Sequence, residues 1–357
     1  MSSIGLAVLG AGYWGPNLVR TALATPALRL EWLCDLDEDR ARAVLGRYTT
    51  VRATNSYEDV LNDPAVDAVA IATPATTHFD LARAALEAGK HVLVEKPLTS
   101  TVADGEKLVG LARSAGLVLM CDHTYCYTPA IQRIRELVRS GEVGAVQFVD
   151  SIRVNLGLVQ PDVDVLWDLA PHDFSILDFV LPDDVVPVEI TAHCSDPVGA
   201  GRACLAHLSI WLSSGALAHM HVNWLSPTKI RTMVIGGSRR TIVLDDMNPP
   251  SRLAVHDRGV DRVPVQSLRP DERRQTLISY RTGDIWAVTA VASGGDHPGH
   301  QPAGGARAAQ LAGLGGAAVR GRGAGARRAS VAARARRGTD RLPRGRGTPV
   351  RLGRGAG

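Results

Sequence analysis

The sequence predicts an α/β protein: a doubly wound parallel sheet, followed by a second α/β domain built on a mostly antiparallel sheet. Three observations carry this expectation. Strand and helix signals alternate through the first 120 or so residues, as in successive βαβ units. After about residue 123, strands follow one another with few helices between them. Between the first strand and the first helix stands Gly10-Ala11-Gly12-Tyr13-Trp14-Gly15, a G-x-G-x-x-G. The expected division is 1–123 for the first domain, 124–286 for the second, and 287–357 for a tail of different composition.

Each element has its own signal. "SIGLAVLG" is a short apolar strand, and "YWGPNLVRTALA" is a helix with Pro16 in its first turn, where a missing N–H costs nothing. "LRLEWLCD" is a second strand, followed by the charged helix "LDEDRARAVLGRY". "VDAVAIAT" is a third clear strand. Its helix, "TTHFDLARAALEAGK", puts Phe79, Leu81, Ala82, Ala85 and Leu86 on one face and stops at Gly89. "HVLVEKP", the helix "VADGEKLVGLARSAG" and the strand "LVLMCD" complete the run. In the second part a helix, "PAIQRIRELVRSG", leads into the strand "AVQFVDSIRVNLG". A helix follows near 168–180, then the strands "PVEITAHC", "ACLAHLSIWLSS", "GALAHMHVNWLSP", "KIRTMVIGG" and "RRTIVLDD".

Composition narrows the function classes. The chain has 357 residues, 45% of them hydrophobic, with no apolar run near the ~18 residues of a membrane span. The N-terminus carries no basic region followed by an apolar stretch and cleavage site. Five cysteines without a C-x-x-C pair argue against a disulfide scaffold or zinc ribbon and fit a reducing cytoplasm. The net charge of +4 comes from the tail: residues 287–357 hold 13 Arg and two acids, leaving the rest at −7. A basic pI therefore says nothing about the body, and neither nucleic acid nor membrane is an expected partner. The tail has 17 Gly and no Phe, Trp, Tyr, Lys or Glu. It is expected to be disordered, or to be a shifted reading frame of a GC-rich gene.

In the glycine motif, Gly10 permits a tight turn, Gly12 lets the backbone approach a pyrophosphate, and Gly15 allows close helix–strand packing. The helix N-terminus offers N–H groups to phosphates. Asp35 ends the second strand 20 residues after Gly15, where an acid is expected to bind the ribose hydroxyls. That carboxylate would repel a 2′-phosphate, so NAD is favoured over NADP. Asp35 as the cap of the following helix is the competing reading.

The glycine motif together with Glu95-Lys96-Pro97 after a buried strand resembles the glucose–fructose oxidoreductase, inositol dehydrogenase and rhizopine catabolism (Gfo/Idh/MocA) family, over roughly residues 3–286. "ATPATTH" at 72–78 is similar to that family's nicotinamide-side loop, with Thr73, Pro74 and His78 at matching places. "WDLAPHD" at 167–173 is similar to its second-domain motif. The resemblance implies a Rossmann domain and a second domain whose open sheet makes homodimer or homotetramer contacts. It also implies hydride transfer between NAD(P) and a polyol, cyclitol, sugar or nucleotide-sugar. Tyr13, Trp14 and Glu95 join the glycines as expected cofactor neighbours, and no metal is expected. The Ala/Arg/Gly-rich, Lys-poor composition adds antibiotic or other secondary-metabolite assembly as an expected setting.

Oxidising a secondary alcohol requires removal of the hydroxyl proton as the hydride leaves. Asp168 and His172 are four apart and share a helix face; Pro171 places the expected helix start near Asp168. His172 suits general acid/base work, and Asp168 would orient it or hold a substrate hydroxyl. Lys96 would hydrogen-bond the reacting oxygen and stabilise developing alkoxide charge. The bland readings are a helix cap, a core histidine and a solvated charge pair. By analogy only, Tyr125 or Tyr127, Asn155 and Asp164 line the cleft. His219 and His221 share a strand face without an evident third ligand, and Cys121, His123 and Cys126 read as packing or cleft lining. Two other functions stay open: a glycoside hydrolase using NAD transiently, and a non-catalytic NAD- or sugar-binding protein.

Overall fold

Alternation along β1 (Ile4–Leu9) decides the first half of the molecule. Leu6 and Val8 face one side of the sheet and pack with Leu18, Val19 and Ala22 of α1 (Gly15–Leu23) and Ala41 of α2 (Glu38–Leu45). Ala7 and Leu9 face the other side. There they meet Val60 of α3 (Tyr57–Asn62), Ala82, Ala85 and Leu86 of α4 (His78–Glu87), and Leu108 and Ala112 of α5 (Val102–Ala115). A sheet buried on both faces needs continuous apolar strands, which is why β4 (Ala68–Ile71) and β5 (His91–Glu95) lack polar interruptions in their middles. With β2 (Leu28–Cys34), β3 (Arg52–Thr54) and β6 (Leu119–Asp122), they form a six-stranded sheet in the order β3-β2-β1-β4-β5-β6. Every pairing in it is parallel. The order reverses between β1 and β4, and that switch point is where such sheets bind ligands.

This is a computed structural model, and it describes residues 3–46, 50–262 and 278–288. The expected disorder or frame shift of the tail beyond 288 lies outside the described residues.

The second sheet has eight strands in the order β14-β13-β12-β11-β7-β10-β9-β8. They are β7 (Val146–Leu156), β8 (Pro187–Ser195), β9 (Leu205–Leu212), β10 (Leu217–Asn223), β11 (Leu225–Gly237), β12 (Thr241–Asp245), β13 (Leu253–Arg262) and β14 (Ile278–Ala287). All pairings are antiparallel except β10 with β7. One face carries α6 (Pro129–Arg139) and α7 (Val165–Val180), whose Ile131, Ile134, Ile176 and Val180 pack on Ala206, Leu208, Ile210, Met220 and Val222. The opposite face shows His207, Trp211, Phe148 and Ile152 as exposed residues.

The expected fold class is the observed one. The differences are local. β3 and α3 are too short for periodicity to reveal, and β13 and β14 are also additional to the expected strands. The helix expected to start near Asp168 starts at Val165, because Asp164 caps it by accepting from the Trp167 amide at 3.0 Å. Pro171 therefore sits in the second turn, where it cannot donate to the Trp167 carbonyl.

Candidate active site

The carboxyl ends of β1, β4 and β5 lie level, with Leu9 beside Ile71 and Ile71 beside Val94. Three loops leave from this edge: Gly10–Gly15, Ala72–His78 and Glu95–Pro97.

The first loop has the shape a pyrophosphate needs. Gly10 has a φ of +94°, and a Cβ there would meet the Ala72 carbonyl oxygen at 2.7 Å. A Cβ on Gly15 would collide with the Gly10 carbonyl oxygen. Above Gly12 a Cβ would meet nothing within 4 Å, so the loop is crowded beneath and open above. No side chain caps α1; Pro16 has no N–H and the Asn17 amide donates to Trp14 O at 2.9 Å, which leaves the Gly15 amide and the positive end of the helix to an anion. These features fit a bound dinucleotide. Tyr13 is exposed beside this opening and Trp14 is half-buried under it.

Asp35 is tied to the same loop. Its Oδ2 accepts from the Ala11 amide at 2.6 Å and its Oδ1 from the Asp37 amide at 2.9 Å. It does not cap α2; Asp37 does, accepting from the Arg40 amide at 3.0 Å. Arg40 stands 3.8 Å from the Asp35 carboxylate.

His78 departs from expectation. It was expected to touch the cofactor, but it is buried and both ring nitrogens face backbone carbonyls. Nδ1 lies 2.7 Å from Pro97 O and Nε2 lies 2.9 Å from Thr73 O. Burial lowers its pKa, so the ring is neutral at pH 7 and donates to one carbonyl at a time. Its place is behind the site, joining the Thr73 loop to the Lys96-Pro97 turn. Thr73 also pairs its hydroxyl with Thr77 at 2.7 Å, and Pro74 is exposed at the edge of the loop.

Lys96 leaves the end of β5 and reaches the second domain. Its Nζ donates to Asp168 twice, to Oδ1 at 2.8 Å and to the main-chain carbonyl at 2.9 Å. The carbonyl is one residue past the one that Pro171 leaves without a helix donor. The other Asp168 oxygen accepts from Trp224 Nε1 at 3.0 Å, a buried ring at the β10–β11 junction. Asp168 therefore holds Lys96; no side-chain hydrogen bond joins its carboxylate to the His172 ring among the described residues, contrary to the orienting role expected of it. Trp224 is a contributor that no sequence signal marked.

His172 sits one turn further along α7. Its Nδ1 is buried without a hydrogen-bond partner. Burial pushes its pKa well below the usual histidine value, and Arg153, Lys96 and Arg231 push in the same direction. The imidazole is neutral at pH 7 and able to accept a proton. Tyr125 meets it edge-on, with ring centroids 5.0 Å apart. Arg153 stacks 4.6 Å over that tyrosine and is fixed by Asp173 through two bonds of 3.0 and 3.1 Å. The cleft thus has a donor, Lys96 from the end of β5, held one turn of α7 away from a neutral base, His172.

The remaining candidates divide. Asp164 is the helix cap described above, and Asn155 is half-buried near the end of β7. Burial pushes the Cys121 thiol up to about 12 and raises Cys126 as well, so neither is a thiolate at pH 7. His219 and His221 are joined by His207, which the β9–β10 register sets opposite His221. Their rings stack at 5.8 and 4.2 Å, and no group of three such side chains among the described residues is arranged to hold a metal ion. No described helix is long and apolar enough to cross a membrane.

Residues 4–123 match the model of an oxidoreductase family with an NAD-binding Rossmann fold, and residues 131–243 match the GFO/IDH/MocA C-terminal domain. UDP-N-acetylglucosamine 3-dehydrogenase of Acidithiobacillus ferrooxidans is 30% identical over 72% of this chain and 78% of its own length. Inositol 2-dehydrogenase 2 of Saccharopolyspora erythraea is 26% identical over 82% of this chain and 86% of its own. The crystal structure of GenD2 from gentamicin A biosynthesis in complex with NAD superposes with a TM-score of 0.63 and 28% identity. That match covers 69% of this chain and 73% of GenD2.

Proposed function

The chain belongs to the Gfo/Idh/MocA family and is an NAD-binding oxidoreductase, and from that premise we propose that it oxidises or reduces a secondary carbinol of a sugar, nucleotide-sugar or cyclitol. Residues 1–123 are proposed as the cofactor domain and 124–286 as the substrate domain, working in the cytoplasm. The observation that carries the reading is the Lys96–Asp168 bond beside neutral His172, at the carboxyl edge of the parallel sheet. The relatives' names, a nucleotide-sugar dehydrogenase and an inositol dehydrogenase, set the substrate range, and GenD2 supports a place in antibiotic assembly.

In this reading Gly10, Gly12 and Gly15 receive the pyrophosphate, with Tyr13 and Trp14 at its sides. Asp35 takes the ribose, while Thr73, Pro74 and Glu95 border the nicotinamide. Bound NAD supplies the hydride acceptor. An ammonium has three N–H donors. Two of those on Lys96 go to Asp168, which leaves the third for the reacting oxygen. Asp168 and Trp224 hold the amine in place. His172, neutral and half-buried, takes the hydroxyl proton in oxidation and returns it in reduction. Donating to the oxygen as its charge develops is the contribution of Lys96.

The test is a panel of inositols, hexoses and nucleotide-sugars incubated with NAD or NADP, followed by NADH or NADPH absorbance. Net NADH formation with one class and a higher kcat/KM for NAD than NADP are expected. Lys96→Ala and His172→Ala should each lower kcat by about 10²-fold or more, with NAD affinity kept. Cleavage of a glycoside without net NADH would establish the hydrolase instead, and full turnover by Lys96→Ala would remove the assignment of this centre.

A further inference from the structure

Beyond the reacting centre, the cleft carries a positive group that the proposed reaction does not use. Arg231 lies on β11 directly across from Arg153 of β7, so the two point to the same sheet face, the one bearing α7. Arg231 Nη1 donates to the Tyr125 hydroxyl at 3.0 Å, and Tyr125 is the ring that touches His172. One aromatic side chain therefore separates the guanidinium from the imidazole.

The cations around it are not equally partnered. Arg153 is matched by Asp173, and Lys96 by Asp168. Arg231 and Arg252 share a single carboxylate, Asp246, at 3.7 and 3.6 Å, and the Tyr125 hydroxyl makes a third claim on it at 3.4 Å. Asp245, the neighbouring acid, spends its Oδ1 on the Met247 amide. Arg231 engages Asp246 through Nη1 alone, and among the described residues its Nε and Nη2 have no partner. Its side chain is 35% exposed. An arginine anchored by one nitrogen and open along its Nε–Nη2 edge has the shape that takes a carboxylate or phosphate in bidentate fashion.

We propose that Arg231 is an anion subsite of the substrate cleft, and that the substrate is an acidic sugar whose carboxylate or phosphate docks there while its carbinol lies between Lys96 and His172. This rests on the reading of Lys96 and His172 as the reacting centre. It narrows the substrate from any polyol to one bearing a negative group: a uronate, a sugar phosphate or a nucleotide-sugar. A neutral cyclitol would leave the open Nε–Nη2 edge of Arg231 without a charged partner.

Calorimetric titration of the NAD-loaded protein tests this with D-glucuronate, glucose 1-phosphate, UDP-glucose, free UDP and myo-inositol as probes. Wild type should bind at least one anionic probe about tenfold or more tightly than myo-inositol. Arg231→Met should lose about 10- to 100-fold in that affinity, the range for a charge-assisted hydrogen bond, with myo-inositol and NAD affinities unchanged. Arg231→Lys should recover part of the loss. Tight glucuronate binding assigns the anion to a carboxylate on the sugar, and tight UDP binding assigns it to a nucleotide phosphate. In turnover the loss should appear in KM rather than kcat. Equal losses for charged and neutral probes, or no wild-type preference for any anion, would overturn the subsite. Because these readouts are binding constants, they decide about Arg231 even if Lys96→Ala shows the reacting centre to lie elsewhere.

Discussion

Gly12 and Gly15 belong to one motif yet do opposite work. The space above Gly12 is empty and the space at Gly15 is filled by the Gly10 carbonyl. Gly12→Val should therefore fold with little change in melting temperature and lose NAD binding. Gly15→Ala should lower the melting temperature itself, since helix and strand must part. Calorimetry with and without NAD separates the two; a Gly12→Val protein that still binds NAD tightly would show the loop to be no phosphate cradle. The glycine spacing was legible because it serves backbone geometry directly. Lys96 was legible because a charge at the end of a buried strand is anomalous. Trp224 and Arg231 were not, since each comes to the cleft through strand register, and nothing local in the sequence announces register. His78 was noticed, but its position behind the site depends on two carbonyls from other loops.

Among the helices, α7 shows how a boundary goes astray. Pro171 invites a start near Asp168, but the Asp164 side chain already satisfies the Trp167 amide and begins the helix three residues earlier. Losing an N-cap of this kind costs about 1 kcal/mol. Asp164→Ala is thus expected to lower the unfolding free energy in urea by about that amount with the denaturant slope unchanged, whereas Asp164→Ser should restore most of it. If Asp164→Ala instead leaves stability intact and raises KM, the residue lines the cleft as the family resemblance implied. Helices with wide apolar stripes, such as α4 and α6, were readable at both ends. β3 and α3 were not, being three and six residues long, less than two full periods of the strand and helix repeats respectively.

Taken together, the histidines make the fold sensitive to acid. His78, His123 and His172 all have pKa values lowered, in each case chiefly by burial. In the unfolded chain they titrate near 6.5. Between that value and their lower folded values, the unfolded state binds protons that the native state refuses, so stability falls as pH falls. Above pH 7 both states are neutral at these sites and the effect vanishes. Each group contributes a slope of up to about 1.4 kcal/mol per pH unit. The melting temperature should be flat from pH 7 to 8 and drop below 6.5, and His123→Asn should make the drop shallower; an acid-insensitive wild type would contradict the burial of these rings. The same neutrality keeps His172 a base, so kcat for oxidation should decline only well below 6.5. The two-sheet architecture was readable from rhythm alone, strands alternating with helices and then strands in series. The order of strands in the second sheet was not, because it depends on pairings between distant segments.

That order fixes a sequence of events in time. Both neighbours of β7 come late in the chain: Phe148 pairs with Leu217 of β10 and with Gly236 of β11, about 70 and 90 residues downstream. As the polypeptide emerges from the ribosome, β7 appears with two bare edges and with Val149 and Val154, buried in the finished fold, still uncovered, and it must wait for both partners. The cofactor sheet, whose strands are complete by Asp122, can close during that wait. Long-range pairing of this kind is slow, and an unpaired central strand is open to capture by another chain. The interval between synthesis of residues 156 and 237 is therefore when β7 stands with both edges unpaired and the chain is most open to pairing with a neighbour.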